Sequence, residues 1–310
     1  MKLRLGTRRS ALALAQSGQV ARALEARHGG LAVELVPIDT RGDREPGDLA
    51  ALGGKGLFTQ ELEAGLADGR LDLAVHSLKD LPVRLPEGLT VAAFPPRADA
   101  RDVLVSAAAA DLDALPAGGV LLTGSLRRRA LVLHRRPDLV VEPIRGNVGT
   151  RLARWRESAG AGVILAAAGL ARLAPGEPEI AELPAHPLDP EVLVPAPGQG
   201  ILALEVRAGS RAEELCRALD HAPSRRAAAA ERQLVAAFGG DCTLPLAAWA
   251  TTNGDGSLRL IGVLATPDGR RAARAVTAGS DPLEVARACV EAMRAAGADE
   301  ILEALHERNE

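Results

Sequence analysis

The stretch Leu71-Asp-Leu-Ala-Val-His-Ser-Leu-Lys-Asp80 sets a short apolar run directly against His, Lys and Asp. Residues 71–75 have the length and composition of a buried strand, and polar residues follow at once at its C-terminal end. Ligand sites in parallel sheets open at that end of the strands, which places Lys79 and Asp80 at a site. Similar short runs recur at 3–5, 33–38, 103–106, 120–123, 163–167 and 201–206, with helical stretches at 10–27 and 57–67 among them. Short apolar runs alternating with helices predict an α/β fold with mainly parallel strands. In the second helix Phe58, Leu62 and Leu66 share one face at i, i+4, i+8, a core stripe.

Punctuation divides the chain. Pro95-Pro96 and the proline-rich run 184–197 disfavour helix and favour extended connections, so they bracket a middle domain. Residues 201–206 then read as a strand of the first domain, and a double crossing between two α/β lobes would make a hinged, central cleft. The domains expected are 1–96 with 200–219, then 97–199, then 220–310. The last begins with a helix capped by Ser224, continues through Gly239-Gly-Asp-Cys-Thr-Leu-Pro245 and three strand-like runs around an Asn253-Gly254 turn, and closes with an Ala-rich helix after Asp281-Pro282. That pattern is a small α+β domain.

Composition narrows the function. With 2% aromatics and no Tyr, the core must be aliphatic and base-stacking platforms are missing; a net charge of -3 offers no general attraction to phosphate, so nucleic acid is not an expected partner. No segment reaches the roughly 18 apolar residues of a membrane span, and no signal-peptide core follows Met1. Cys216, Cys242 and Cys289 are odd in number and widely spaced, without a disulfide or zinc pattern, which fits a reducing cytoplasm.

Cations cluster at turns and helix starts, at Arg8, Arg9, Arg41, Lys55, Lys79, Arg127, Arg128, Arg129, Arg145 and Arg151. Such junctions offer free backbone N–H groups and the positive end of a helix dipole, so the implied ligand carries several negative charges. Arg forks suit carboxylate and phosphate alike. Gly53-Gly-Lys-Gly56 lacks the Ser or Thr a P-loop places after its Lys, and Arg41-Gly-Asp43 reads as a turn or part of an internal site. Asp80 at its strand end is suited to protonating a departing amine and offsetting developing positive charge, or to capping a turn ahead of Pro82. His76 reads as structural. Cys242 lies in a Gly-rich, Pro-terminated loop, whereas Cys216 and Cys289 sit at apolar helical positions. As a thiol it is open to three readings: packed residue, hydrolase nucleophile or attachment point.

Together, Gly6-Thr-Arg-Arg-Ser-Ala-Leu-Ala13, Thr40-Arg-Gly-Asp43, Gly53-Gly-Lys-Gly-Leu-Phe58, Ala74-Val-His-Ser-Leu-Lys-Asp80, Gly124-Ser-Leu-Arg-Arg128, Arg145-Gly-Asn-Val-Gly-Thr-Arg151, Pro197-Gly-Gln-Gly200 and the Cys242 loop resemble the hydroxymethylbilane synthase (porphobilinogen deaminase) family across essentially the whole chain. The resemblance implies two lobes like those of periplasmic binding proteins plus a third domain, and a monomer. It implies a dipyrromethane cofactor held through a thioether on Cys242, priming condensation of four porphobilinogen molecules into a growing polypyrrole chain with loss of ammonia. It further implies that Arg8, Ser10, Lys55, Lys79, Thr123, Ser125, Arg127, Arg128, Arg145 and Arg151 bind cofactor or substrate carboxylates, with Arg172 and Gln199 as further carry-overs. Asp80 would act on pyrrole N–H groups and the azafulvenium, and Phe58 would screen the site from water. Two positions depart from the family pattern: Gly124 replaces a small hydroxyl residue, and Asp241 stands where Gly is common. The competing readings are an anion-binding module built on the same two lobes, and a cysteine hydrolase pairing Cys242 with His76 or His221.

Overall fold

Two five-stranded sheets with the same internal plan organise the computed structural model, which describes residues 1–40, 59–239 and 244–307. The first sheet is built from β1 (Lys2–Arg8), β2 (Ala32–Ile38), β3 (Leu73–Ser77), β4 (Leu89–Ala93) and, after a long excursion, β10 (Leu202–Arg207), in the order β2-β1-β3-β10-β4. The second holds β5 (Asp102–Val105), β6 (Val120–Leu122), β7 (Val140–Glu142), β8 (Gly162–Ala166) and β9 (Ala185–Pro187), in the order β7-β6-β8-β5-β9.

Each sheet contains a parallel trio, β2-β1-β3 or β7-β6-β8. Beside each trio runs a strand antiparallel to both its neighbours, β10 in the first sheet and β5 in the second. The strand beyond it, β4 or β9, runs with the trio, so four of the five strands in each sheet point the same way, in keeping with the expectation of mainly parallel strands.

The helices follow their caps. Helix α1 (Ala11–Arg27) starts at Ser10, whose hydroxyl accepts from the Ala13 N–H at 3.3 Å. Helix α2 (Gln60–Ala67) buries Leu62 and Leu66; Phe58, the third member of that stripe, lies outside the described residues. In the second sheet's segment come α3 (Leu126–Arg135), α4 (Val148–Glu157), α5 (Ala167–Leu173) and the short α6 (Pro178–Ala181). After β10 follow α7 (Arg211–Cys216) and α8 (Ala222–Ala237). The helix expected to be capped by Ser224 starts at Ala222 and so includes it, and Ser224 Oγ accepts instead from the Arg97 N–H at 2.9 Å.

The C-terminal part is an antiparallel meander of β11 (Leu246–Thr252), β12 (Leu258–Ala265) and β13 (Ala272–Gly279), followed by α9 (Pro282–Ala295) and α10 (Ala298–His306). Asp281 caps α9 through the Leu283 and Glu284 N–H groups, with Pro in the first turn. Contacts gather the chain into two units, 1–98 with 201–228 and 99–200 with 229–310. The first is centred on Leu5, Leu24, Leu73 and Leu204, the second on Leu104, Leu121, Ile164 and Leu193, with Ile261 and Val263 of β12 in the same cluster. The largest fully buried side chains are all Leu or Ile, the aliphatic core that the lack of aromatics requires.

Candidate functional site

In the first unit the site begins where β3 ends. The strand is buried from Leu73 to His76, and one turn of 3-10 helix, Leu78–Asp80, leaves Lys79 partly exposed and Asp80 exposed. The turn is braced from behind: the Leu78 N–H donates to the Ile201 carbonyl at 2.9 Å, and Gln16 of α1 donates from Nε2 to Ser77 Oγ at 3.0 Å. His76 points inward, with Nε2 2.9 Å from Glu205 Oε2 on β10, and both side chains are enclosed. Burial thus gives His76 a place in the frame behind Lys79 and Asp80. Arg8, at the end of β1, and Ser10, capping α1, occupy the neighbouring strand-to-helix junction.

The second unit presents two more helix starts. Thr123 directly follows β6, and its Oγ1 accepts from the Ser125 N–H at 3.2 Å; Ser125 caps α3 through the Arg128 N–H. Gly124 between them has no room for a side chain, because a Cβ there would lie 2.4 Å from the Ile144 carbonyl oxygen. The missing hydroxyl is therefore a steric requirement of this backbone. Asn147 caps α4 through the Thr150 N–H, and the preceding Gly146 has φ +108°, which a side chain rarely adopts. Arg145 is exposed, and Arg151 donates from Nε to the Gly146 carbonyl at 2.8 Å.

These three helix starts share one property. The first turns of α1, α3 and α4 contain no acidic residue, a property shared with α5, which carries Arg172, and α8, whereas those of α2, α6, α7, α9 and α10 each contain at least one. Where the chain supplies no anion of its own, the dipole and unpaired N–H groups favour an external one.

Arg172, in α5, strengthens that reading. Its half-buried guanidinium donates to the Gly200 carbonyl at 2.9 Å, and burial pushes it down to about 10. No carboxylate among the described residues pairs with it. Arg127 and Arg128 differ, since both are enclosed at 4% and 5% exposure and both pair with Asp102, at 2.7 and 2.8 Å. Burial alone would raise the Asp102 carboxyl, but the Arg127 and then the Arg128 charge hold it far below the usual carboxylate range. Desolvation in turn lowers Arg127 from its ordinary value, and its Nε has no hydrogen-bond partner among the described residues. Gln199 donates from Nε2 to Asp102 Oδ1 at 2.8 Å and to the Ala100 carbonyl at 2.7 Å.

Asp102, the partner of Arg127, Arg128 and Gln199, is a residue that the sequence reading missed. Its signal was an acidic side chain opening the otherwise apolar strand Asp102–Val105. Lys55, Phe58, Asp241 and Cys242 lie outside the described residues. The other thiols are enclosed, and burial pushes Cys216 up to about 12 and Cys289 up to about 11.

Family models and sequence relatives agree on one family. The model described as "Porphobilinogen deaminase, dipyromethane cofactor binding domain" matches residues 3–214, and that of the "Porphobilinogen deaminase, C-terminal domain" matches 226–296. The porphobilinogen deaminase of Syntrophotalea carbinolica is 46% identical over 307 residues, covering 98% of this chain and 96% of its own. That of Rubrobacter xylanophilus is 46% identical over 303 residues, covering 97% and 96%. Among solved structures, the methionine binding protein MetQ aligns at 12% identity with a TM-score of 0.42, over 70% of this chain and 89% of its own.

Proposed function

The chain belongs to the porphobilinogen deaminase family, and from that membership we propose how its own residues carry the family's reaction. It is a hydroxymethylbilane synthase, a transferase that joins porphobilinogen molecules head to tail with release of ammonia and then frees the linear tetrapyrrole by hydrolysis. Dipyrromethane is its cofactor and supplies the primer on which the chain grows.

The residues present fit such a group. A polycarboxylate needs fixed cations and N–H donors with no competing anion, and each unit by itself offers such donors: the acid-free start of α1 in the first, and those of α3 and α4 with Arg172 in the second. This donor set is the single observation that carries the reading. Arg8, Ser10, Lys55 and Lys79 in the first unit, and Thr123, Ser125, Arg127, Arg128, Arg145, Arg151 and Arg172 in the second, would bind acetate and propionate groups. Each charge-assisted contact is worth roughly 1.5 to 3 kcal/mol. Gln199 joins them as a carry-over whose amide nitrogen is engaged within the protein.

Asp80 is the catalytic residue in this proposal. Exposed at the end of the 3-10 turn, it faces the substrate pyrrole N–H, protonates the departing amine and offsets the positive charge left behind. At about 4 Å that electrostatic term is roughly 4 kcal/mol for an effective dielectric near 20. Phe58, outside the described residues, would screen the reacting atoms from water. Cys242 carries the cofactor through sulfur, a role supported by its loop context and by the burial of both other thiols.

Three domains, 1–96 with 200–219, 97–199 and 220–310, complete the proposal; the gap between the two family matches, 214 to 226, supports the last boundary. A monomeric, cytoplasmic protein goes with it. No described helix is long and apolar enough to cross a membrane. The function is tested by supplying purified protein with porphobilinogen: ammonia released in equal amount to porphobilinogen consumed, with a linear tetrapyrrole as product, is expected. Absence of consumption would overturn it.

A further inference from the structure

We propose that Asp102 is the positioning residue of the Arg127–Arg128 pair, fixing both guanidinium groups and leaving their cluster with a single positive charge in excess, matched to one incoming carboxylate. The proposal rests on the reading that Arg127 and Arg128 meet carboxylates of cofactor or substrate. Asp102 is 0% exposed, so it touches no ligand itself.

Its two oxygens divide the work. Oδ2 accepts from Arg127 Nη2 at 2.7 Å, while Oδ1 accepts from Arg128 Nε at 3.1 Å, Arg128 Nη2 at 2.8 Å and Gln199 Nε2 at 2.8 Å. Backbone carbonyls finish the frame: Arg127 Nη1 donates to Val194 at 2.5 Å and Arg128 Nη1 to Ile164 at 2.8 Å. Two arginines and one aspartate leave a net charge of one in an enclosed space. Burial makes that surplus costly until an anion neutralises it. The buried Nε of Arg127, without a partner among the described residues, is the donor left over for such an anion.

Removing the charge of Asp102 would leave two adjacent buried cations repelling each other. An Asn amide placed there would also turn a donor toward at least one of the guanidinium donors. Gln199 belongs to the same frame, because its amide nitrogen bridges Asp102 and the Ala100 carbonyl. Ala100 and Gln199 lie just inside the two ends of the 99–200 segment, so this one carboxylate ties together the places where the chain enters and leaves it.

The test is a cycle on the full chain. The wild-type chain, Asp102→Asn, Arg127→Gln and the double variant are produced in cells that make no porphobilinogen, so that each starts unloaded, and are then incubated with it; the rate of mass gain from cofactor loading is followed alongside KM and a circular-dichroism melt. Each single change is expected to slow loading at least tenfold, and the double variant to be within about twofold of the slower single one, since Asp102 acts through the pair. Losses that multiply in the double variant overturn the positioning role and leave the site reading standing. Normal loading and KM in Arg127→Gln overturn the site reading, and the positioning role with it. Should Asp102→Asn not fold, Asp102→Glu keeps the charge and moves it: a rise in KM with kcat within twofold supports the proposal, and a fall in kcat at unchanged KM overturns it.

Discussion

Replacing Arg172 with Gln should stabilise the empty protein while weakening its use of substrate. Burial holds the Arg172 guanidinium at about 10 against an ordinary 12.5, which corresponds to about 3 kcal/mol against keeping it charged. Partial solvent access at this half-buried side chain reduces the figure to about 2 kcal/mol. Loss of the hydrogen bond to the Gly200 carbonyl offsets about 1 kcal/mol of that. The net expectation is a gain of about 1 kcal/mol, or roughly 2 °C in Tm for a chain of this size. The pH sign follows from a cation whose folded value is depressed: the penalty is present in full at neutral pH and disappears only as pH rises from about 10 toward 12.5. The comparison belongs in a Cys242→Ala background, where the proposed attachment is removed, and is read by scanning calorimetry at pH 7. With Cys242 restored, KM for porphobilinogen should rise about tenfold or more, the loss of one charge-assisted contact. A variant destabilised by more than 1 kcal/mol in the Cys242→Ala background would show that Arg172 already has its partner within the protein, and would refute the reasoning.

Other perturbations separate chemistry from scaffold. Asp80→Asn should retain the cofactor mass yet lose about 100-fold or more in turnover at an unchanged melting temperature, measured by ammonia release; near-normal turnover would remove Asp80 from the catalytic role. Leu204→Ala, at the fully buried centre of the first sheet, should cost about 2 to 5 kcal/mol in urea denaturation. Alkylation of the Cys242→Ala chain at pH 8 should leave Cys216 and Cys289 unmodified until denaturant is added, since burial pushes their thiols to about 12 and about 11.

The parts of the fold that sequence reveals are those whose signals are local. Ser10 before an amphipathic run, Asp281-Pro282 before an Ala-rich one and the apolar stretch ending at Lys79-Asp80 each lie within a few residues of the element they specify. Strand direction is different, because β5 and β10 take their orientation from pairings with β8 and β3 far along the chain. Three-residue strands such as β7 and β9 are too short to show a period. The same division holds in the site. Arg127 and Arg128 stand out as a basic pair, but that Asp102 encloses them 25 and 26 residues away is a tertiary fact. Gly124 looks like the loss of a hydroxyl until the Ile144 carbonyl is seen to occupy the space a side chain would need.

Intact-mass measurement of the purified protein, beside the same measurement on Cys242→Ala, tests most directly whether this polycationic scaffold holds a sulfur-linked polyanion. The wild-type chain should exceed its sequence mass by one dipyrromethane, and the variant should match its sequence mass and be inactive. A wild-type chain fully active at its bare sequence mass, or a Cys242→Ala chain that still carries the extra mass, would contradict the account.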